Sequence, residues 1–328
     1  MTNLAILGAG RIARTMASTV RQMERRGDPV RLWAVGARDA DRAEAFAREE
    51  GARRAYGSYE ALVADPQVDL VYIATPHSPH AAHVRLCVEA GKAVLCEKAF
   101  TANARQAEEV LRLAEEKGVL VTEAIWPRYM PSRAMIDGLI AEGAIGQVKM
   151  LTANLCYPML EKERLTEPAL AGGALLDVGV YALNFASMVL GDRIVRTESS
   201  AQLSDKGVDL TDSITYYYES GAVAQLLSGM VCAGDRRGLI YGETGWLSVD
   251  NINNPGRIEL WRPYDPAPER VLTVPAQLTG YEYEVTACME ALAAGRIECP
   301  AMPHAETLEI MRRMDALRAA WGVKYPFE

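Results

Sequence analysis

The stretch Leu4–Ala13, LAILGAGRIA, decides the fold of this 328-residue chain. The apolar run Leu4–Leu7 predicts a buried strand, and Gly8 and Gly10 follow it at once. Beyond the glycines, small and apolar side chains recur at helical spacing: Ile12, Ala13, Met16, Ala17 and Val20. The stretch therefore predicts a strand, a tight glycine turn and a helix whose N-terminus points at the turn, which is the phosphate-binding arrangement of dinucleotide-binding folds.

Four residues of this turn are expected to hold the pyrophosphate of such a cofactor: Gly8, Gly10, Arg11 and Ile12. Gly8 permits the turn, and Gly10 lets the backbone approach the phosphates, while the third position of the motif keeps a small residue. The alternative is a glycine-rich turn that binds no ligand, since such a turn can have the same sequence pattern. A second apolar run at 30–37 follows at the distance expected of a strand–helix–strand unit, and this context favours the nucleotide site.

Arg38, near the end of the second predicted strand, favours NADP over NAD as the cofactor. An acidic residue at this point would bind the ribose 2′-hydroxyl of NAD and repel a phosphate, whereas a guanidinium can hold the 2′-phosphate. Asp39 follows directly, and we expect it to cap the next helix. The alternative role for Arg38 is that of a solvated surface charge.

Further apolar runs at 69–75, 93–96 and 119–123 alternate with helical stretches, which predicts a parallel, doubly wound α/β sheet in an N-terminal Rossmann domain of residues 1–123. Ligands of such sheets bind beyond the carboxyl ends of the strands. Two loops leave the strands there, and the residues expected to face the cofactor are Thr75, His77, His80, Glu97 and Lys98. A lysine at such a position can reach a ribose hydroxyl and the reacting centre, although a Glu-Lys pair is also common on plain surfaces.

Residues 124–328 change in character and predict a second α/β domain with an open, mainly antiparallel sheet. Behind two glycines, an apolar helical stretch carries Asp177, Tyr181 and Asn184 on one face, because their spacing is helical. This polar face predicts one wall of a site, and the alternative is a structural tyrosine with Asp177 as a helix cap. One face of an open sheet must be covered, either by helices or by a second copy of the same sheet, and we expect a homodimer through the sheet.

The composition argues against several other classes of protein. With 49% apolar and 24% charged residues, the sequence has no continuous apolar run near the ~18 residues of a membrane span. A net charge of −8 without a basic block argues against nucleic acid as the partner. The six cysteines and four histidines lack the spacing of metal ligands, so no metal site is expected. The first predicted strand begins so near Met1 that we expect no secretory signal before it. We therefore expect the cysteines to be free thiols in a reducing cytoplasm.

Four motifs together resemble the Gfo/Idh/MocA oxidoreductase family: GAGRIA at 8–13, CEK at 96–98, EAIWPRYMP at 123–131 and GGALLDVGVY at 172–181. Within the family, the sequence is most similar to the branch of dimeric dihydrodiol dehydrogenases and NADP-dependent D-xylose 1-dehydrogenases. The resemblance implies a Rossmann domain, a second domain whose open sheet commonly mediates dimerisation, and a tightly held NADP(H). It also implies hydride transfer to or from a carbon of a sugar or a cyclic diol.

By matching motif positions, Lys98 corresponds to the motif lysine of the family, and Asp177 and Tyr181 correspond to its aspartate and its acid/base residue. Trp126 and Arg128 are expected to wall the substrate pocket beside the tyrosine. The chain departs from the family in two places. Ala99 replaces the proline of the usual EKP motif. The segment 156–167, expected over the substrate, carries Tyr157, Glu161, Lys162 and Arg164 and matches no family motif.

The expected chemistry is the removal of a hydroxyl proton from a carbinol as hydride leaves its carbon. A free tyrosine has a pKa of about 10, too high for an efficient base near neutrality, and a nearby ammonium favours the phenolate. We therefore expect Tyr181 to act as general acid/base, Lys98 to assist it, and Asp177 to orient a hydroxyl or the lysine. The alternatives are an inositol or ketose reductase, a cofactor-recycling oxidoreductase of the same family, and a non-catalytic NADP-binding sensor.

Overall fold

The computed structural model describes residues 1–328. In chain order its strands are β1 (Thr2–Leu7), β2 (Val30–Gly36), β3 (Arg54–Tyr56), β4 (Leu70–Ile73), β5 (Ala93–Glu97), β6 (Val121–Ala124), β7 (Val148–Cys156), β8 (Ile194–Leu203), β9 (Asp209–Tyr218), β10 (Val223–Gly229), β11 (Gly238–Gly242), β12 (Trp246–Val249), β13 (Arg257–Trp261) and β14 (Arg270–Thr273). Its helices are α1 (Arg11–Arg26), α2 (Ala40–Glu50), α3 (Tyr59–Val63), α4 (His80–Glu89), α5 (Ala104–Lys117), α6 (Pro131–Ala141), α7 (Glu163–Thr166), α8 (Val180–Leu190), α9 (Glu282–Ala293) and α10 (His304–Trp321). Short 3₁₀ turns lie at Trp126–Arg128 and Pro168–Leu170, and a π turn lies at Leu175–Gly179.

The chain divides into two compact units, of which unit 1 comprises residues 1–129 and 277–311 and unit 2 comprises residues 130–276 and 312–328. This division differs from the two contiguous domains that we predicted, 1–123 and 124–328, because the chain returns to unit 1 near its end. The cause is hydrophobic burial. Val285, Cys288 and Ala291 form the inner face of α9 and are buried in the same core as the side chains of β1 and α1.

Unit 1 contains a six-stranded sheet in the order β3-β2-β1-β4-β5-β6, and every neighbouring pair in it is parallel. The predicted Rossmann-type doubly wound fold is therefore confirmed. The central strands β4 and β5 are buried along their whole length, which explains the apolar sequences LVYI of β4 and AVLC at the start of β5. The strand order reverses between β1 and β4, and ligands of such sheets bind at this point, beyond the carboxyl ends of the strands.

Unit 2 contains an eight-stranded sheet in the order β14-β13-β12-β11-β7-β10-β9-β8. All neighbouring strands are antiparallel except β7 and β10, which run parallel, so the predicted open and mainly antiparallel sheet is confirmed. Burial alternates along β7, β9 and β10, so that one face of the sheet belongs to the core and the other is more exposed.

One helical stretch, Pro168–Leu190, is long and apolar enough to cross a membrane by length and composition alone. Of its most apolar window, 83% is buried inside the protein. This burial is typical of a core helix, and the stretch forms part of the core of unit 2.

Candidate active site

The glycine turn after β1 has the backbone conformation of a phosphate-binding turn. Gly8 has a φ of +106°, and a Cβ added there would lie 3.1 Å from the carbonyl oxygen of Ala74 and from Cγ2 of Thr75. At Gly10 the nearest atom to such a Cβ is 3.9 Å away, so the backbone is open to a ligand on that side. Helix α1 then begins at Arg11 with no side-chain cap and no acidic residue in its first turn. This end of unit 1 therefore fits an anion such as a pyrophosphate.

Two arginines lie beyond the end of β2. Arg38 is exposed, and the side chain of Asp39 accepts a hydrogen bond of 2.9 Å from the backbone of Arg42, which confirms Asp39 as the cap of α2. The guanidinium of Arg42 donates to the carbonyl oxygen of Ala9 inside the glycine turn, at 3.1 Å. Burial raises the pKa of Tyr59, while Arg38 and Arg42 act on it in the opposite direction, so both cations lie near this ring. Sequence reasoning missed Arg42, although its position four residues after Arg38 was a usable signal.

The loop after β4 is pinned by polar contacts. Oγ1 of Thr75 lies 3.0 Å from Nδ1 of His83, and the ring of His83 meets that of Tyr59 edge-on at 4.8 Å. Burial lowers the pKa of His83 to about 4. Thr75 thus has its methyl group under the glycine turn and its hydroxyl held by α4, which ties the turn to the loop.

His80 links the loop after β4 to the loop after β5. It is completely buried, and its two ring nitrogens lie 2.8 Å from the carbonyl oxygen of Thr75 and 2.9 Å from that of Ala99. The ring of His77, also buried, packs against it with centroids 5.9 Å apart. We predicted that His80 faces the cofactor. Both of its ring nitrogens lie beside backbone carbonyl oxygens, so it supports the loop that carries Lys98, and its contact with a cofactor stays a prediction.

Glu97 and Lys98 begin that loop at the end of β5. The carboxylate of Glu97 is buried and accepts hydrogen bonds from the hydroxyl of Tyr72 and from the backbone N–H of Lys98, the latter at 3.2 Å. Burial raises the pKa of Tyr72 well above its usual value, so this phenol remains a donor. The peptide bond between Lys98 and Ala99 is cis. Lys98 itself is only partly buried.

Trp126 and Arg128, predicted to wall the substrate pocket, make contacts inside unit 1. The indole of Trp126 stacks on the ring of Tyr281, with centroids 4.3 Å apart and planes inclined by 15°. Nη2 of Arg128 lies 2.6 Å from a carboxylate oxygen of Glu306, and only 8% of the arginine side chain is exposed. The guanidinium of Arg128 therefore serves an ion pair within the unit.

In unit 2, the two glycines before the site helix allow close approaches that no other residue would permit. A Cβ at Gly172 would lie 2.5 Å from the carbonyl oxygen of Leu165, and one at Gly173, where φ is +123°, would lie 2.2 Å from Oδ1 of Asp209. Asp209 is fully buried, and its other oxygen accepts the N–H of Leu175 at 2.5 Å. The glycine pair is thus wedged between two buried groups, and this fixes where the helical stretch begins.

Asp177 lies in the π turn and Tyr181 lies in the first turn of α8. Asp177 is paired with Arg164 of α7, whose Nη1 is 3.0 Å from Oδ1. Single π turns are frequent at functional sites. Tyr181 is partly exposed, whereas Asn184 is buried and donates to the carbonyl oxygen of Val180 at 2.8 Å. Unit 2 therefore places Asp177 and Tyr181 on consecutive turns, while the amide of Asn184 bonds to the helix backbone.

Each unit by itself brings together some of the residues predicted from the sequence. Unit 1 gathers the residues predicted for the cofactor around one edge of its sheet, and the exposed or partly exposed ones are Gly10, Arg11, Ile12, Arg38, Thr75 and Lys98. Unit 2 holds Asp177 and Tyr181 on consecutive turns. Sequence reasoning missed the contributions of Arg42 and Asp209 and left Arg164 without a role.

Comparison with known proteins agrees with this geometry. A family model described as "Oxidoreductase family, NAD-binding Rossmann fold" matches residues 2–125, and one described as "GFO/IDH/MocA C-terminal domain" matches residues 134–248. The chain is 32% identical over 330 residues to trans-1,2-dihydrobenzene-1,2-diol dehydrogenase of Bos taurus, covering 98% of this chain and 97% of that protein. The enzyme of the same name from Sus scrofa is 33% identical over 330 residues, with the same two coverages.

Solved structures show the same fold over almost the whole chain. KijD10, a 3-ketoreductase from Actinomadura kijaniata in complex with NADP and TDP-benzene, superposes with a TM-score of 0.85 at 25% identity, covering 97% of each chain. An aldose-aldose oxidoreductase from Caulobacter crescentus, complexed with glycerol, has a TM-score of 0.85 at 22% identity and likewise covers 97% of each chain. The second likeness supports the fold alone.

Proposed function

Because the chain belongs to the Gfo/Idh/MocA oxidoreductase family and is an NAD(P)-dependent dehydrogenase, we propose that it transfers a hydride between NADP and a hydroxyl-bearing carbon of a cyclic diol or sugar. One observation carries the proposal. The glycine turn after β1 and the Lys98 loop after β5 leave the same edge of a parallel sheet, with only β4 between them. An anion-binding turn and an amine therefore share the edge at which such sheets bind nucleotides.

The residues present in unit 1 fit NADP. Gly8, Gly10 and Arg11 would hold the pyrophosphate through the open backbone and the N-terminus of α1. Arg38 and Arg42 would hold the 2′-phosphate, since both cations lie beyond β2 and the acidic residue there, Asp39, caps α2 with one of its carboxylate oxygens. When bound, the nicotinamide supplies the acceptor or donor of the hydride.

In this proposal Tyr181 removes the proton of the substrate hydroxyl during oxidation and returns it during reduction. The ammonium of Lys98 stabilises the phenolate that Tyr181 becomes and binds the substrate oxygen. Asp177 orients a substrate hydroxyl. The placement of Asp177 and Tyr181 on consecutive turns, with the phenol partly exposed, supports these roles.

The test is a turnover screen of cyclic diols, aldoses and inositols with NADP and with NAD, on the wild-type protein and two variants. Tyr181→Phe and Lys98→Met should each lower kcat by roughly 10²–10⁴-fold, the range of general acid–base catalysis, while NADP still binds. Tyr241→Phe, which removes a phenol hydroxyl from β11, is the matched control and should keep wild-type turnover. Near wild-type turnover of Tyr181→Phe would refute the assignment, and activity on inositols or ketoses alone would favour a reductase of that type.

Cofactor preference has its own test. Arg38→Ala and Arg42→Ala should each raise the KM for NADP by roughly 10- to 100-fold, because each removes a charge-assisted hydrogen bond of about 1.5–3 kcal/mol, and should leave the KM for NAD nearly unchanged. Arg48→Ala, an exposed arginine in the last turn of α2, is the control. Equal effects on both cofactors would contradict the preference for NADP.

We also propose a cytoplasmic homodimer that associates through the outer face of the unit 2 sheet. Two apolar side chains on neighbouring strands of that face are well exposed, Leu227 at 51% and Met150 at 39%, and a second copy would remove them from water. All six cysteines are free thiols, as suits a reducing compartment. Light scattering should give twice the chain mass for the wild type and the chain mass for Leu227→Lys.

A further inference from the structure

The segment between β7 and the glycine pair contributes one charged group to the predicted site. Arg164 lies on the short helix α7, and its guanidinium faces the carboxylate of Asp177 end-on, with Nη1 3.0 Å from Oδ1 and Nη2 3.5 Å from Oδ2. The exposure of the two side chains differs sharply, at 41% for Arg164 and 5% for Asp177. The carboxylate is therefore inside the protein and the cation extends from it toward solvent.

This ion pair differs from an ordinary surface pair because the backbone next to Arg164 is fixed. Leu165 is fully buried, and its carbonyl oxygen accepts the N–H of Gly173 at 2.9 Å. The same oxygen approaches Gly172 so closely that no Cβ fits between them. The backbone of Arg164 is thereby held against the start of the helical stretch that carries Asp177 and Tyr181, so that forming the ion pair orders only the arginine side chain.

The chemistry of the pair indicates what it can bind. A guanidinium has five N–H donors in a planar fork, of which two point at Asp177, and a carboxylate has about four acceptor positions. A donor and an acceptor side by side, with no net charge, match two adjacent hydroxyl groups, each of which can both donate and accept. A carboxylate on the substrate would instead have to compete with Asp177 for the same fork.

We propose that Arg164 is a specificity-determining residue that, together with Asp177, binds two adjacent hydroxyl groups of a neutral substrate. This inference rests on the proposed function, since it deepens the choice of substrate at the same site. It gives Arg164 a role within the segment 156–167, which is expected over the substrate and matches no family motif.

The experiment compares a neutral cyclic diol with its single-hydroxyl analogue and with a sugar acid. Arg164→Met should lower kcat/KM for the diol by roughly 10- to 100-fold, the worth of a hydrogen bond to a charged group, and change that for the single alcohol little. Arg164→Lys keeps the charge but loses the fork, and should recover only part of the loss. Arg193→Met, which removes an exposed arginine that pairs with Glu219 in the same unit, should behave as the wild type.

A second readout separates recognition from a merely structural role. A buried carboxylate without its cation takes up a proton at higher pH, so the acid limb of kcat/KM for the diol should move to higher pH in Arg164→Met. Unchanged affinity for NADP would show that this variant is folded. Equal losses of kcat/KM for the diol and for the single alcohol, with the acid limb unmoved, would overturn the inference. A wild-type preference for the sugar acid that Arg164→Met abolishes would overturn it as well.

Calorimetric titration of the diol into the NADP-loaded protein distinguishes failure of this inference from failure of the proposed function. Binding that weakens at least 10-fold in Arg164→Met supports the inference even if no turnover occurs, and lack of turnover would then count against the proposed function alone. Turnover of diols that Arg164→Met leaves unchanged would overturn the inference and leave the proposed function standing. A wild-type protein that neither binds nor turns over any diol would overturn both.

Discussion

Gly173→Ala is the substitution whose effect the structure specifies most fully. Gly173 has a φ of +123°, and the added Cβ would lie 2.2 Å from Oδ1 of Asp209. Real Cβ atoms do not approach other atoms so closely, so Asp209 or the backbone must move. Asp209 cannot move without loss, because its other oxygen accepts the N–H of Leu175 at the start of the π turn.

The expected cost has three parts. A residue with a Cβ in the left-handed region costs about 1–2 kcal/mol. Loss of the bond from the backbone to Asp209 costs about 1 kcal/mol, as for other helix caps, and a buried polar group left without its partner costs a further 1–3 kcal/mol. The sum is about 3–6 kcal/mol. Gly221→Ala is the matched control, since its φ is +82° and nothing lies within 4 Å of an added Cβ, so only the first cost applies.

A double-mutant cycle isolates the collision. In an Asp209→Ala background the atom that the new Cβ would meet is absent, so Gly173→Ala should cost only the conformational 1–2 kcal/mol (roughly). The coupling between the two substitutions should therefore be about 2–4 kcal/mol. Urea unfolding, followed by circular dichroism and tryptophan fluorescence, measures each corner of the cycle. Costs that simply add would refute the reasoning.

Activity gives an independent readout of the same perturbation. The π turn that begins two residues after Gly173 carries Asp177, and Tyr181 follows one turn later. A shift of this turn by even 1 Å can lower turnover about 100-fold, so Gly173→Ala should lose kcat at urea concentrations where the protein is still folded. Gly221→Ala should retain it.

Three further predictions concern unit 1. Burial raises the pKa of Glu123 to about 7 from 4.5, so between pH 5 and pH 7 the unfolded carboxyl is ionised while the folded one keeps its proton, and stability falls as pH rises through this window. Glu123→Gln should remove about 2–3 kcal/mol of that fall between pH 5 and pH 8, measured by urea unfolding at both values, and an unaltered pH dependence would contradict the shift. Arg128→Met removes the cation paired with the carboxylate of Glu306 and should lower the free energy of unfolding by about 2 kcal/mol. A second substitution, Glu306→Gln, should restore part of this loss. A changed KM for the substrate at constant stability would instead favour the pocket role predicted from the sequence. Gly8→Ala, whose Cβ would lie 3.1 Å from the carbonyl oxygen of Ala74 at a φ of +106°, should weaken NADP binding by at least about 10-fold, whereas Gly27→Ala, with a φ of +96° and open space around it, should not.

The parallel sheet could be predicted because its determinants are local in sequence. The stretch from Leu4 to Ala13 contains most of β1, the turn and the start of α1, and β4 is a continuous apolar run. Asp39 could be assigned as a cap because capping depends on its own residue type and position. The three-residue strand β3 was not predicted, since it is short and half exposed and carries no apolar run.

The partners of the site residues could not be predicted, because they depend on contacts between distant segments. Arg164 and Asp177 are 13 residues apart, and Asp209 reaches Leu175 across 34 residues. The packing of α9 in unit 1 likewise depends on contacts between distant segments of the chain. Its buried face is short and interrupted by the buried acids Glu282 and Glu284, so the sequence shows a helix but not the core to which it belongs.

These partners explain why glycines and buried acids occur next to the predicted catalytic residues in both units. Lys98 follows a buried glutamate that accepts the N–H of Lys98, and Asp177 lies in a π turn whose first N–H is accepted by a buried aspartate. Burying a carboxylate costs free energy unless backbone donors satisfy it, so such groups are found where they hold a loop in one conformation. It follows that Asp209→Asn, which keeps the shape and one acceptor, should disturb Asp177 less than Asp209→Ala does. The ratio of their kcat values therefore measures how much the hydrogen bond, rather than the filled space, positions the site.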